Sequence, residues 1–194
     1  MQVPIEFYAI LSGCIIVFLI ALYRILSVFK QKKENSKPGR NGLLPQQRMD
    51  QINKLVTEYL VSEQAFLRQR YSIWQLADEI GIPQHHLSIF INSYHKMNFN
   101  DFINKYRVYY SKIMMINGEW KYKTLQAIAT ESGFGNRTTY STVFKKVTGM
   151  NPSDFIKELR EVEADEQSGV NRIKEDCLKK CPEMKFLLTK KAAS

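Results

Sequence analysis

The chain has 194 residues, of which 28 are Lys or Arg and 19 are Asp or Glu, so its net charge is +9. This length leaves room for one domain of about 110 residues with its own core, together with appendages. The charge favours a polyanionic partner only weakly, because residues 72–160 contain 11 basic and 7 acidic side chains. The sequence contains no nucleophile–base pair, glycine-rich phosphate loop or metal-ligand set, which argues against an enzyme or a bound cofactor.

The first predicted element is a single transmembrane helix in residues 1–29. Residues 7–23 carry no charge, and the apolar segment 5–29 is long enough to cross a bilayer core of about 30 Å. Lys30, Lys32 and Lys33 follow this segment and nothing basic precedes it, which argues against a secretory signal and predicts a cytoplasmic C-terminal side. A buried core helix is the alternative, but a core helix of this length would carry a polar face.

Residues 30–48 are predicted to be a flexible basic linker, because they are rich in Lys, Gln, Asn, Pro and Gly. A flexible coil of this length has a reach of about 25 Å. From Met49 to Arg70 apolar residues recur at helical spacing, which predicts a helix that packs on the following unit. The same apolar stripe, between Met49 and Leu60, is the alternative surface for a homodimer contact.

A ten-residue stretch then occurs twice. Residues 73–82 align with residues 125–134, and after one added residue 97–103 align with 150–156. Gly81 and Gly133 stand where a helix ends in a sharp turn, and Ala77 and Ala129 are small enough for a second helix to cross closely. The pattern predicts two helix-turn-helix units, with α-helical hairpins of an adaptor protein as the alternative.

Local capping signals support these boundaries. Ser72 with Gln75 forms a predicted capping box, Pro83 suits a helix start, and Asn136 is a predicted cap. Between the two units, residues 99–117 contain no Gly or Pro and carry an apolar stripe that includes Tyr110 and Asn117. This predicts a helix of about 25–30 Å, close to the roughly 34 Å repeat of B-DNA.

A set of characteristic residues is distributed over both copies: Leu76-Ala77, Gly81, Leu87, Gly133-Phe134, Phe144-Lys145-Lys146, Gly149 and Asn151-Pro152-Ser153. With these residues the chain resembles the AraC-type DNA-binding domain. The resemblance covers residues 50–160 and is most specific from Gly133 to Phe155. It implies an all-α fold in which residues 49–160 place two helix-turn-helix units, joined by one long helix, in successive major grooves of duplex DNA. It also implies a bacterial transcription regulator, with RNA polymerase as an expected partner.

Candidate DNA contacts follow from helix geometry and this resemblance. On the two predicted recognition helices, 83–93 and 136–147, the residues expected to face the bases are Gln84, His85, Ser88, Ile89, Arg137, Thr138, Ser141 and Thr142. Arg137 suits guanine best, although a phosphate contact is equally open. Ile89 stands where the family often has a long polar side chain, and it can offer only a thymine-methyl contact. The candidate phosphate contacts are Lys121, Lys123, Thr124, Asn136, Lys145 and Lys146.

Residues 161–194 are predicted to be a charged, loosely ordered tail, with at most one short helix around residues 170–180. Cys177 and Cys181 are one helical turn apart, but they have no further ligand nearby and are interpreted as free thiols. The leading hypothesis is a regulator tethered to the bacterial inner (cytoplasmic) membrane, with its DNA-binding domain in the cytoplasm. The alternatives are a membrane-anchored adaptor that binds protein, or the C-terminal segment of a longer receptor.

Overall fold

The computed structural model describes residues 45–165 and 167–185, and every regular element in these ranges is helical. The α-helices in these ranges are α1 (Gln46–Ser62), α2 (Ile73–Glu79), α3 (Gln84–Tyr94), α4 (Phe99–Ile116), α5 (Leu125–Glu131), α6 (Arg137–Thr148), α7 (Pro152–Asp165) and α8 (Gln167–Lys180). Short 3-10 turns lie at Ala65–Leu67, Glu119–Lys121 and Pro182–Met184. None of the helices in these ranges is long and apolar enough to cross a membrane. The predicted anchor and residues 30–44 of the linker lie outside the described residues, so both stay predictions.

Helix α1 completes the core of the domain. It begins at Gln46 and ends at Ser62, so the predicted bounds of 49 and 70 were wrong, and the last three linker residues are helical. The apolar stripe of α1 is buried, with Met49, Ile52, Val56 and Leu60 at most 6% exposed. Leu55, on the same helix, is 42% exposed, and a homodimer contact through α1 stays a prediction.

The two repeat copies have the same turn. In the first, Ile82 N donates to Ala77 O (3.0 Å) and Gly81 N to Asp78 O (3.3 Å). In the second, Phe134 N donates to Ala129 O (3.0 Å) and Gly133 N to Thr130 O (3.0 Å). Both glycines have positive φ, +67° at Gly81 and +85° at Gly133, a conformation that disfavours any residue with a Cβ. The prediction of two like helix-turn-helix units is confirmed.

Helix α4 joins the units and forms the centre of the core. Asn98 caps it by accepting a hydrogen bond from Asp101 N (2.9 Å), and Gly118 with φ +80° follows its end. Its 18 residues correspond to about 27 Å. The helix is buried on more than the predicted stripe, since Val108, Tyr109 and Met115 are also buried. Asn117, which was assigned to the stripe, is exposed.

The C-terminal part is more ordered than predicted. Helix α7 continues to Asp165, and α8 packs against both α4 and α7. Cys177, Cys181 and Met184 are each no more than 1% exposed. Residues 161–165 and 167–185 are therefore not a loose tail, because the second of these segments packs against α4, whereas residues 186–194 of the predicted tail lie outside the described residues. Cys177 is a free thiol.

Candidate nucleic-acid interface

Three of the four helices of the two units begin at a side-chain cap. Asn136 accepts a hydrogen bond from Thr139 N (2.8 Å) at the start of α6, and Thr124 accepts one from Ala127 N (3.1 Å) at the start of α5. Ser72 and Gln75 form the predicted capping box at α2. Since these caps fix where α2, α5 and α6 begin, they also fix which residues α6 presents outward.

The outward face of α3 is polar at its N-terminal end. Gln84 and His85 are exposed, and Ser88 is half-buried. Ile89 is half-buried and packs against the core, so much of its side chain is unavailable for a base contact. Asn92, which sequence reasoning missed, is exposed one turn after Ser88 and donates to its hydroxyl (3.4 Å). Its i+4 spacing from Ser88 was the available signal, and an amide is the side chain that reads adenine.

His86 is buried and does not belong to this face, although its ring centre lies 4.1 Å from that of the exposed His85. His86 is 6% exposed, and its Nδ1 has no hydrogen-bond partner among the described residues. Burial, followed by the nearby His85 and Arg48, lowers the pKa of His86 below its ordinary value. At neutral pH the ring is therefore uncharged, which suits a side chain inside the domain.

The outward face of α6 carries a cation at its first residue. Arg137, Thr138 and Thr142 are exposed and Ser141 is half-buried, while Tyr140 and Phe144 are fully buried beneath them. Val143 and Val147, predicted to be core residues, are only half-buried. Thr142 donates to Thr138 O (3.0 Å), so its hydroxyl proton is engaged within the helix. Arg137 forms no ion pair within the described part of the chain, which leaves its guanidinium available to a ligand.

The predicted phosphate contacts divide into paired and unpaired cations. Lys121 pairs with Glu163 (2.9 Å), and Lys146 pairs with Asp101 (2.8 Å). Lys123 contacts both Glu119 (2.7 Å) and Glu131 (2.6 Å), and these carboxylates raise the pKa of Lys123 above its ordinary value. A phosphate would have to compete with the carboxylates at all three lysines. Lys145 is exposed and has no ion pair in residues 45–165 and 167–185, so it is the most available anchor of this set.

The described residues contain no group of three or more His, Cys, Asp or Glu side chains placed to hold a metal ion. An open groove of about 800 Å³ is bordered by the start of α2, the start of α4 and Lys146 of α6. It has none of the paired nucleophile and base that hydrolytic chemistry requires. The exposed polar faces of α3 and α6 lie outside this groove, apart from Lys146 of α6.

Comparison with known proteins gives a match in the same region. Residues 76–158 match a helix-turn-helix domain family. The TCP pilus virulence regulatory protein of Vibrio cholerae serotype O1, in two strains, is 38% identical over 60 residues, or 31% of this chain. The matched segment spans about a fifth of the length of these curated relatives (21%).

Solved structures with a related arrangement each cover 55% of this chain. A protein of unknown function from Listeria innocua is 26% identical, with 95% of its chain covered and a TM-score of 0.46. The C-terminal domain of AraT, a response regulator from Geobacillus stearothermophilus, is 19% identical, with 84% covered and a TM-score of 0.47. The family match and the paired helices together identify residues 76–158 as a helix-turn-helix domain.

Proposed function

We propose that this protein is an AraC-type transcription regulator that binds duplex DNA sequence-specifically, with α3 and α6 in successive major grooves. The observation that carries the proposal is the duplication. Two units with the same turn hydrogen bonds each expose a polar face on their second helix, and one helix of 18 residues joins them. The curated relatives are regulatory proteins by name, which supports the same role.

The two recognition helices have different chemistry. Helix α6 offers Arg137 at its N-terminal end, where a guanidinium can bond to both O6 and N7 of guanine. Helix α3 offers Gln84 and His85 at the corresponding end and Asn92 further along. Because Ile89 is partly inside the core, we assign most of the base recognition to α6 and to the exposed amides of α3.

The test measures binding of the full chain, in mild detergent, to duplexes selected from a random pool. Arg137→Ala should cost about 1–3 kcal/mol and relax preference at one base pair if Arg137 reads guanine. Lys145→Ala should weaken binding to all sequences alike and make the salt dependence shallower by about one unit of slope. A uniform loss from Arg137→Ala would assign that residue to phosphate instead.

The strongest competing function is a membrane-anchored adaptor that binds protein through a degenerate domain. The pairing of Lys121, Lys123 and Lys146 with carboxylates favours it, because these cations are already neutralised. Salt separates the two functions, since affinity for DNA falls steeply as counterions are added. If none of the variants Arg137→Ala, Lys145→Ala and His85→Ala changed the affinity for DNA at low salt, DNA binding would be rejected in favour of the adaptor.

We also propose that residues 5–29 tether this domain to the bacterial inner membrane, with the domain in the cytoplasm and RNA polymerase as its partner there. The uncharged run and the lysines that follow it support the tether. A reporter fused after Ser194 should be cytoplasmic and should stay with the membrane through a carbonate wash. A reporter found outside the cell, or in the soluble fraction, would contradict the tether but not the DNA binding.

A further inference from the structure

The loop that leads into the first helix-turn-helix unit and the turn of the second unit meet at a junction built around Arg107, in the middle of α4. Its Nε donates to Phe66 O (2.6 Å), and its terminal nitrogen donates to Arg68 O (2.8 Å). Both carbonyls belong to the loop that leads into the first unit, 41 and 39 residues away in sequence. The described residues contain no carboxylate paired with this guanidinium, so the backbone of that loop takes the place of a counterion.

The second unit contacts the same group from the other side. The guanidinium carbon lies 5.8 Å from the centre of the Phe134 ring, which follows Gly133 in the turn between α5 and α6. A Cβ placed on Gly133 would lie 2.9 Å from Leu67 O and 3.0 Å from Arg107 Nε. The turn of the second unit therefore contacts the loop before the first unit directly, in a space that only glycine fits.

Placing an arginine at this partly buried position is less favourable than placing an apolar side chain there, if the side chain only fills space. Burial lowers the pKa of Arg107 below its ordinary value, because the charged form loses contact with water. An apolar side chain would avoid that loss. What arginine adds is a rigid planar fork, whose donors can hold two carbonyls at fixed positions while its face lies on an aromatic ring. We call Arg107 and its contacts with Phe66 O, Arg68 O and the Phe134 ring the brace.

We infer that Arg107, seated against Gly133, sets the relative orientation of α3 and α6 and thereby the spacing between the two DNA half-sites that this chain accepts. The inference builds on the proposed DNA binding. Helix α4 alone is a single connection about which each unit could tilt, whereas the junction adds contacts to one side chain from the second unit and from the loop that leads into the first unit. Two recognition helices held in this way match only one half-site spacing, because each added base pair shifts the second groove by about 3.4 Å and rotates it by roughly 35°.

The test compares spacing tolerance in the full chain and in three variants. The duplexes carry the two selected half-sites at their natural spacing, with one base pair added and with one removed. Arg107→Met removes the donors at similar length, and Arg107→Lys keeps the charge but lacks the planar fork. Arg160→Met is the matched control. The guanidinium carbon of Arg160 lies 4.9 Å from the centre of the Trp120 ring, but Arg160 is not part of the junction.

The unsubstituted chain should bind the altered spacings at least about tenfold more weakly than the natural one, since only one unit can then seat fully. Arg107→Met should reduce this discrimination to about threefold or less, while leaving affinity for an isolated half-site unchanged. Arg107→Lys should shift in the same direction, and Arg160→Met should keep the original discrimination. A general loss of stability would lower affinity for every duplex alike. Retention of the full spacing discrimination by both Arg107 variants would overturn the inference.

A second measurement needs no DNA and so separates this inference from the proposed function. Spin labels at His85→Cys and Thr142→Cys report the distance between α3 and α6, with the unsubstituted chain labelled in parallel as background. The distance distribution should broaden in Arg107→Met and in Arg107→Lys, and it should stay narrow in Arg160→Met. If the unsubstituted chain bound no duplex, the proposed function would fail, yet a broadened distribution would still support the brace. A distribution unchanged by both Arg107 variants would overturn it.

Discussion

The duplicated turn provides a substitution with its own internal control. Gly81 and Gly133 occupy equivalent positions of the two repeat copies, and both have positive φ. Replacing either with Ala puts a Cβ into the left-handed region, which costs about 1–2 kcal/mol. The surroundings differ, because a Cβ at Gly81 would meet nothing within 4 Å, whereas one at Gly133 would lie 2.9 Å from Leu67 O and 3.0 Å from Leu67 Cα.

The difference between the two sites sets the expected magnitudes. Contacts of this kind with backbone atoms cannot be relieved by rotating a side chain, so the loop or the turn must move. Overpacking of this sort adds about 1–3 kcal/mol. We expect Gly81→Ala to lower the free energy of unfolding by about 1–2 kcal/mol and Gly133→Ala by about 2–5 kcal/mol.

Urea unfolding of the full chain, followed by far-ultraviolet circular dichroism in one detergent buffer, measures both losses. The comparison is valid if the dependence on urea is the same in both variants, because a changed slope would indicate a changed unfolded or folded state. Equal losses at Gly81 and Gly133 would show that the loop before the first unit does not approach the second turn. The close contact between Gly133 and the loop at the Arg107 junction would then be contradicted as well.

Two further predictions concern the core. Tyr140 is buried and donates to Ser111 Oγ (3.2 Å). Burial raises the pKa of Tyr140 above its ordinary value. The contribution of Tyr140 to the free energy of unfolding is therefore complete below about pH 10, the ordinary pKa, and decreases as pH rises toward the folded-state pKa. In urea unfolding, Tyr140→Phe should lower the free energy of unfolding by about 1 kcal/mol at pH 7. Between neutral and alkaline pH this variant should lose less stability than the unsubstituted chain. An equal loss in both proteins would contradict the prediction. Burial also raises the pKa of Cys177, so this thiol should react with an alkylating reagent only after α8 unfolds; rapid labelling without urea, identified by mass spectrometry, would contradict the docked helix.

Much of the local structure could be predicted because its causes lie within a few residues. The caps at Ser72, Asn98, Thr124 and Asn136 each depend on a side chain and a backbone N–H three positions away. The two turns depend on a glycine that alone adopts positive φ without strain. Apolar periodicity identified the buried face of α3 in the same way and those of α1 and α6 in part. The double helix-turn-helix architecture of the domain was therefore determined by the sequence itself.

The candidate site was only partly predictable, because availability depends on what lies nearby in space. Lys146 appears in the sequence as one of two adjacent cations, but the fold places Asp101, 45 residues earlier, within 2.8 Å of its ammonium. Lys145, its neighbour, has no such partner in the described part of the chain. The sequence likewise allowed Ile89 to face outward, whereas packing drew it partly into the core.

Only the tertiary structure decided which elements cover α4 and how the two units meet. Periodicity shows that a helix has an apolar face, but it does not name the helix that will cover it, so α8 was expected to be loose. Nothing in the sequence distinguishes Arg107 from other charged residues of a helix. Its partners in the fold are backbone carbonyls about 40 residues away. Backbone carbonyls are the same in every residue and leave no mark in the sequence. The sequence thus determined the two units, and long-range packing determined the geometry between them.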